Sequence, residues 1–171
     1  MQLLKLINHF MLLSMLVLSP FSYGLNREQV DEENTAQHIE LEKYYPKKDV
    51  DAMIAGLLKE GESRRMMIKP YKFRFDGELM SAPKAGDYSV IYQGLEVWGV
   101  KPLPDASHSA YIKTPGGKVI GVYLQNSAAL RLNNEAIGTK ATFYVLHAYN
   151  YKHGPRLLVL SYFADNGQLK P

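Results

Sequence analysis

The strongest structural signal in the chain is residues 109–124, which read SAYIKTPGGKVIGVYL. Pro115 and Gly117 suit a three-residue hairpin loop, because proline fixes the first turn residue and glycine accepts the left-handed conformation at the last. This loop pairs Ile112 with Ile120 and keeps the apolar residues of both strands on one face. A two-residue loop would shift the register by one residue and mix the two faces. The sequence therefore predicts an antiparallel hairpin with a three-residue loop.

Further strands are predicted on both sides of this hairpin. In Tyr71–Phe75, aromatic and basic residues alternate, as in a strand with one buried face. Thr139–Tyr149 and Arg156–Phe163 are apolar at nearly every position, which is typical of strands covered on both faces. The β-branched and aromatic residues of Tyr88–Tyr92 and Leu95–Val100 predict two more strands, or one strand bent at a bulge.

One helix is predicted before the strands, over Asp49–Gly61. Asp49 is suited to cap the start of this helix, and Gly61 to end it in a left-handed conformation. The apolar residues recur three and four positions apart, so they form one stripe that docks on another surface. These residues are Val50, Met53, Ile54, Leu57 and Leu58.

The number and type of these elements predict a mainly β fold. Six or so short strands joined by turns, with one N-terminal α-helix and no long helix among them, are typical of a small antiparallel β-barrel or sandwich. A five-stranded barrel of the OB type is the first choice from this element count, and an immunoglobulin-like sandwich is the second.

Residues 1–24 have the layout of a secretory signal peptide. Lys5 precedes an apolar run from Met11 to Phe21, and small residues follow it, so we expect cleavage after Gly24. Pro20 interrupts this run, which is shorter than the roughly 20 apolar residues that a bilayer span needs. An uncleaved N-terminal anchor is the alternative. We expect the mature chain to be periplasmic or secreted and to contain no transmembrane segment.

The two parts of the expected mature chain carry opposite net charge. Residues 25–62 hold ten acidic and five basic residues, and residues 63–171 hold seven acidic and fourteen basic ones. The sequence therefore divides into a signal peptide (1–24), an acidic helical segment (25–62) and a basic β-barrel or sandwich domain (63–171). The absence of cysteine excludes disulfides, thiol nucleophiles and zinc–thiolate sites.

Basic and tyrosine side chains form the candidate binding surface. Five bases and no acid lie between Ser63 and Phe75, interleaved with aromatic residues, as in a groove for an anionic polymer. The same run also fits a linker followed by the solvated face of a strand, and the acidic helix is able to cover it. The candidate binding residues, with those of the hairpin and the 150–155 loop, are Arg64, Arg65, Lys69, Lys72, Arg74, Tyr111, Lys113, Tyr123, Tyr151 and Lys152.

The sequence predicts no catalytic site, metal site or cofactor. The stretch Asp105–His108 holds the residue types of a hydrolytic triad, but sequence neighbours do not generally supply the required facing geometry. The chain also has no Gly-x-Ser-x-Gly motif. His147 and His153 lack the ligand spacing of a metal site. His147 lies in a central predicted strand, and we expect it to be a buried, hydrogen-bonded ring or a residue at the mouth of the barrel.

These features favour an exported, periplasmic, non-catalytic binding or structural module, a component of an envelope-associated assembly such as a secretion or conjugation machine. The expected partner is an envelope protein or an anionic glycan, and export disfavours nucleic acid. One alternative is an inhibitor or immunity-type protein that blocks an exported enzyme with the loop Lys101–His108 or Asn150–Pro155. Another is an anionic-glycan-binding module, and a small hydrolase using Ser107 and His108 is the remaining hypothesis. The oligomeric state stays open.

Overall fold

The computed structural model describes residues 38–59, 67–151 and 154–164. The expected signal peptide therefore lies outside the described residues. Other residues named above that also lie outside them are Gly61, Arg64, Arg65, Lys152 and His153.

In this described part of the chain, three helices and six strands follow a helical segment at residues 38–44. All of them belong to one compact unit, Asn34–Pro171. Within the described part of the chain, no helix combines the length and hydropathy that crossing a membrane requires. The elements are α1 (Val50–Lys59), β1 (Tyr71–Leu79), β2 (Lys84–Ala85), α2 (Val90–Glu96), β3 (Ala106–Lys113), β4 (Val119–Gln125), α3 (Asn126–Leu132), β5 (Lys140–Tyr151) and β6 (Gly154–Ala164).

The six strands form one mixed sheet in the order β1-β5-β6-β4-β3-β2, so the fold is mainly β, as predicted. β1 also pairs with β3, through Glu78 with Lys113 and Leu79 with Ile112. Five strands therefore pair around a ring. Gly77 permits this closure, because a Cβ there would lie 2.6 Å from Cγ2 of Ile112.

The expectation of a purely antiparallel arrangement is wrong at one pairing. β4 and β6 run parallel, in register at Tyr123 with Leu158 and at Leu124 with Val159. The physical reason is the connection between them. After α3 the chain runs back along β5, in the direction opposite to β4. It then reverses again into β6, which pairs antiparallel with β5, so β6 runs in the same direction as β4.

The predicted register of the 109–124 hairpin is confirmed. Ile112 pairs with Ile120, and Gly117 has a φ of 81°. The amide of Thr114 donates a hydrogen bond to the carbonyl of Lys118 at 2.8 Å, which closes the loop. Strands β1, β5 and β6 also lie where the sequence predicts strands.

The strand faces that point into the ring form the larger apolar cluster. The phenylalanines of β1 and β5 pack there with aliphatic residues of β3, β4 and β6. Helix α3 contributes Ala128, Ala129 and Leu132 to the same cluster. Ala128 and Ala129 lie four and three positions before Leu132, which is the spacing of a short helical stripe, although the sequence analysis predicts no helix in this segment.

Helix α2 occupies a stretch for which the sequence predicts strands within residues 88–100, so that prediction is wrong. Ile91 and Leu95, one helical turn apart, are fully buried. They pack with Leu146 and Leu158 against the outer face of β5 and β6. This burial overrides the β propensity of the segment. It also explains the unbroken apolar sequence of both strands, which are covered on two faces.

Helix α1 is confirmed, and so is its cap. Oδ1 of Asp49 accepts a hydrogen bond from the amide of Ala52 at 2.9 Å. Val50 and Ile54 are buried in the interior cluster, so the predicted apolar stripe docks on the strands. The predicted loop at 101–108 is shorter than expected, since β3 begins at Ala106.

Candidate functional site

A groove of about 580 Å³ lies between helix α2 and strands β4, β5 and β6. Its size is within the roughly 300–1,000 Å³ typical of ligand sites, which are also mostly apolar. We call it the aromatic groove, and its lining residues are Met67, Val90, Gln93, Gly94, Val97, Tyr123, Tyr149, Tyr151 and Arg156.

Two hydrogen-bonded tyrosines form the inner wall of the aromatic groove. The hydroxyls of Tyr123 and Tyr149 are 3.1 Å apart, and the ring of Tyr88 packs edge-on against Tyr123. Burial raises the pKa of Tyr149 above its ordinary value, and the hydrogen bond between Tyr149 and Tyr123 raises it further. Tyr149 is therefore uncharged at neutral pH.

The outer rim of the groove carries one aromatic ring and one cation. Tyr151 is 45% exposed, and the guanidinium carbon of Arg156 lies 5.0 Å from the centre of its ring. This distance is typical of a cation–π contact. Within the described residues, Arg156 makes no ion pair.

Helix α2 supplies the apolar wall of the groove. Val90 and Val97 line it and are among the exposed large apolar side chains. Gly94 faces Tyr149, and a Cβ at this position would lie 3.1 Å from Cδ1 of that ring. The glycine therefore lets the helix approach the tyrosine closely.

The structure brings together two of the predicted binding residues, Tyr123 and Tyr151. Tyr149, another tyrosine that the sequence offers for a recognition surface, lies beside them. Sequence reasoning missed Arg156 and the residues of α2. The signal for α2 was the spacing of Ile91 and Leu95 by four positions, which fits a helix as well as it fits a strand.

The basic residues of β1 have partners within the chain. The guanidinium of Arg74 pairs with the carboxylate of Glu42 at 2.8 Å, and the side chain is 17% exposed. It also donates a hydrogen bond to the carbonyl of Tyr45 at 2.6 Å. The ammonium of Lys72 lies 5.5 Å from the ring centre of Tyr45. The acidic segment thus covers part of the predicted basic surface, whereas Lys69 is exposed.

The other two predicted binding residues lie on the β3 side of the hairpin. The ammonium of Lys113 pairs with the carboxylate of Glu78 at 2.8 Å. Tyr111 is 58% exposed, and its ring lies beside Gly121, as predicted. Neither residue lines the aromatic groove.

Ser107 and His108 contact each other directly. Oγ of Ser107 and Nδ1 of His108 are 2.8 Å apart, and the same hydroxyl donates to Oδ1 of Asn126 at 3.4 Å. Within the described residues, no carboxylate pairs with His108 in the way that a triad requires. Nor do these residues contain a group of three or more His, Asp or Glu side chains placed to hold a metal ion.

His147 is buried and hydrogen-bonded, as predicted. Its Nδ1 lies 3.0 Å from the hydroxyl of Tyr71, and its Nε2 lies 2.8 Å from Oδ1 of Asn150. One neutral tautomer satisfies both contacts, with the Tyr71 hydroxyl donating to Nδ1 and Nε2–H donating to Asn150. Burial lowers the pKa of this histidine below its ordinary value.

The buried His147 should make the protein less stable in mild acid. Because its pKa is lowered by folding, the unfolded chain binds the proton first as the pH falls below about 6.5. Stability from this source is present above that pH and is lost as the pH approaches the lowered value. We expect the free energy of unfolding to decline less between about pH 7.5 and 5 in His147→Gln, measured by urea denaturation. Equal declines in the two proteins would contradict this assignment.

A scan against protein-family models gives no match to this chain. Searches of curated proteins and of solved structures give no match either. The function is therefore inferred from the geometry of the site.

Proposed function

We propose that this protein is an exported, non-catalytic binding module whose aromatic groove holds part of an envelope protein. The observation that carries the proposal is the groove itself, with three tyrosines, one arginine and exposed apolar side chains of α2 at one place. Tyrosine, methionine and arginine are enriched in the cores of protein interfaces. Such a module would serve as a component of an envelope-associated assembly.

We also propose that the ring of five strands is a small barrel of the OB type. The five strands of the ring, in chain order, are β1, β3, β4, β5 and β6. Around the ring they follow one another as first, second, third, fifth and fourth, and the fourth strand pairs with the first. The third and fifth strands are parallel, and helix α3 lies between the third and fourth. This arrangement supports an OB barrel over an immunoglobulin-like sandwich.

The place of the aromatic groove supports a binding role within that fold. OB barrels bind their ligands on the second and third strands and at the loops that follow the first and fourth. Here α2 belongs to the connection after the first strand, and Tyr123 belongs to the third. Tyr151 and Arg156 flank the turn between the fourth and fifth strands.

Export is supported by the sequence pattern of residues 1–24, with cleavage proposed after Gly24. In that compartment an envelope protein is a more accessible partner than nucleic acid. The exposed apolar side chains that line the groove, Val90 at 56% and Val97 at 68%, are consistent with a surface that a protein partner covers.

A pair of matched double variants tests this function. Val90→Gln with Val97→Gln places two amides in the groove, at side chains that are 56% and 68% exposed. Val119→Gln with Ile137→Gln makes the same changes outside it, at side chains that are 55% and 66% exposed. Crosslinking in the cell envelope, followed by mass spectrometry, should show partner capture reduced about tenfold by the first pair only.

The full-length protein should also crosslink to its partner through residues that border the groove. Equal capture by both double variants would remove the groove from the proposed function. Capture of a single enzyme whose activity is lowered by the protein would instead identify the inhibitor class. Both variants should unfold at nearly the urea concentration of the parent, because exposed substitutions usually change stability little.

A further inference from the structure

Among the residues that the structure describes, the lining of the aromatic groove offers one fixed positive charge and no negative one. Its lining includes Arg156 but no aspartate or glutamate, and no described carboxylate pairs with that guanidinium. Stacking on Tyr151 holds the guanidinium at the rim of the groove. A planar guanidinium that is oriented in this way is suited to receive a carboxylate through two hydrogen bonds.

The remaining surface of the groove is suited to an apolar side chain. Val90 and Val97 lie on the helix side, Met67 lies at the edge, and the tyrosine rings lie on the strand side. An apolar group that enters between them loses contact with water and brings no polar group of its own that needs a partner. The groove therefore combines an apolar slot with one cationic end.

The small number of free polar groups distinguishes between two possible occupants. A glycan presents many hydroxyls, each of which needs a hydrogen-bonding partner when it is buried. In the groove, the hydroxyls of Tyr123 and Tyr149 bond to each other, so this pair offers only one further hydroxyl proton. The other polar side chains of the lining are the Gln93 amide, the Tyr151 hydroxyl and Arg156. A peptide that buries one apolar side chain requires fewer partners, so the groove favours a peptide.

We propose that the aromatic groove recognises a peptide segment of the partner in which an apolar side chain enters the slot and an adjacent Asp or Glu pairs with Arg156. This inference rests on the proposed function, since it assigns the chemistry of the partner at the same site. It identifies the partner as an acidic, apolar segment and gives a role to Arg156, which makes no ion pair among the described residues.

Three blocked peptides test this recognition without knowledge of the partner. They are N-acetyl-Gly-Phe-Glu-Gly-amide, its Gln analogue without the charge, and its Ala-Glu analogue without the apolar ring. Titration into the ¹⁵N-labelled protein at millimolar concentrations should shift the amide signals of Gly94, Tyr149 and Tyr151 with the first peptide. We expect the Gln and Ala analogues to bind about tenfold more weakly, since each lacks one of the two contacts.

Single substitutions of basic residues identify the side chain that binds the Glu carboxylate of the peptide. Arg156→Gln should abolish the preference for Glu over Gln in the peptide. Lys140→Gln should preserve it, because Lys140 lies at the end of β5 opposite to Tyr151 and the groove. Arg156→Lys should retain part of the preference, because it keeps the charge but not the planar pair of donors.

Several results would overturn the inference. These are equal binding of the Glu and Gln peptides, an unchanged preference in Arg156→Gln, no shift at the groove with any peptide, or stronger binding of a trigalacturonate probe. The capture experiment with the valine variants is independent of them. If capture requires the valines but the peptide preference is absent, the chemistry proposed here fails and the binding function stands. If capture does not require the valines, the function itself fails.

Discussion

Replacing Phe143 by alanine is expected to lower the free energy of unfolding by about 3–5 kcal/mol. The Phe143 side chain is fully buried in the interior that the five paired strands enclose. It contacts the rings of Phe75 and Tyr162, with centroid distances of 5.8 and 6.4 Å. Alanine removes these contacts and leaves a cavity that the strands on both sides cannot readily fill. Urea denaturation of the purified protein measures the change.

Two further variants keep this prediction testable. Phe143→Leu fills most of the space and should cost about 1–1.5 kcal/mol, so it reports on the site if the alanine variant does not fold. Tyr111→Ala removes an aromatic ring that is 58% exposed and should cost less than about 1 kcal/mol. A loss at Tyr111 as large as that at Phe143 would mean that the interior cluster is assigned wrongly.

Asp51→Ala is expected to lower the free energy of unfolding by about 2–3 kcal/mol. One carboxylate oxygen of Asp51 accepts a hydrogen bond from the hydroxyl of Thr114 at 2.6 Å. The other accepts one from the amide of Gly116 at 2.7 Å. The carboxylate thereby ties helix α1 to the loop of the β3–β4 hairpin. Thr114 is 2% exposed, so its hydroxyl would lose its acidic partner in a site that water does not readily reach.

Asp49→Ala is the matched control for this prediction. It also removes an acid from the start of α1, but it deletes only the helix cap, which is worth about 1 kcal/mol. The double variant of Asp51→Ala with Thr114→Val should be destabilised by less than the sum of the two single changes, because both break the same hydrogen bond. Additive losses in denaturant unfolding would show that Asp51 does not act through Thr114.

The parts of the fold that could be predicted are those governed by local chemistry. The hairpin register follows from the loop at Pro115 and Gly117, and the start of α1 follows from Asp49. Helix α2 could not be recognised in this way, because its apolar residues fit both periodicities and its burial depends on β5 and β6. The parallel pairing of β4 with β6 depends likewise on a long-range contact.

The candidate site was partly predictable for a similar reason. Tyr123 and Tyr151 carry a residue type that is common in interfaces, but nothing in the sequence brings them to Val90, which lies on helix α2, where the sequence predicts strands. Arg74 illustrates the opposite limit. The sequence shows the positive charge of Arg74, but it does not show that Arg74 forms an ion pair with Glu42 of the same chain. A charge pattern indicates that a partner is needed but does not say whether that partner is internal.

The presence of two apolar clusters on opposite faces of the same strands gives this protein room for evolutionary change. Along β5, Val145 belongs to the interior cluster, and its neighbour Leu146 belongs to the cluster beneath α2. Successive residues of one strand therefore belong to different apolar clusters, one inside the ring of strands and one beneath α2. Substitutions in the outer set can reshape the groove and alter specificity, while the inner set continues to stabilise the domain.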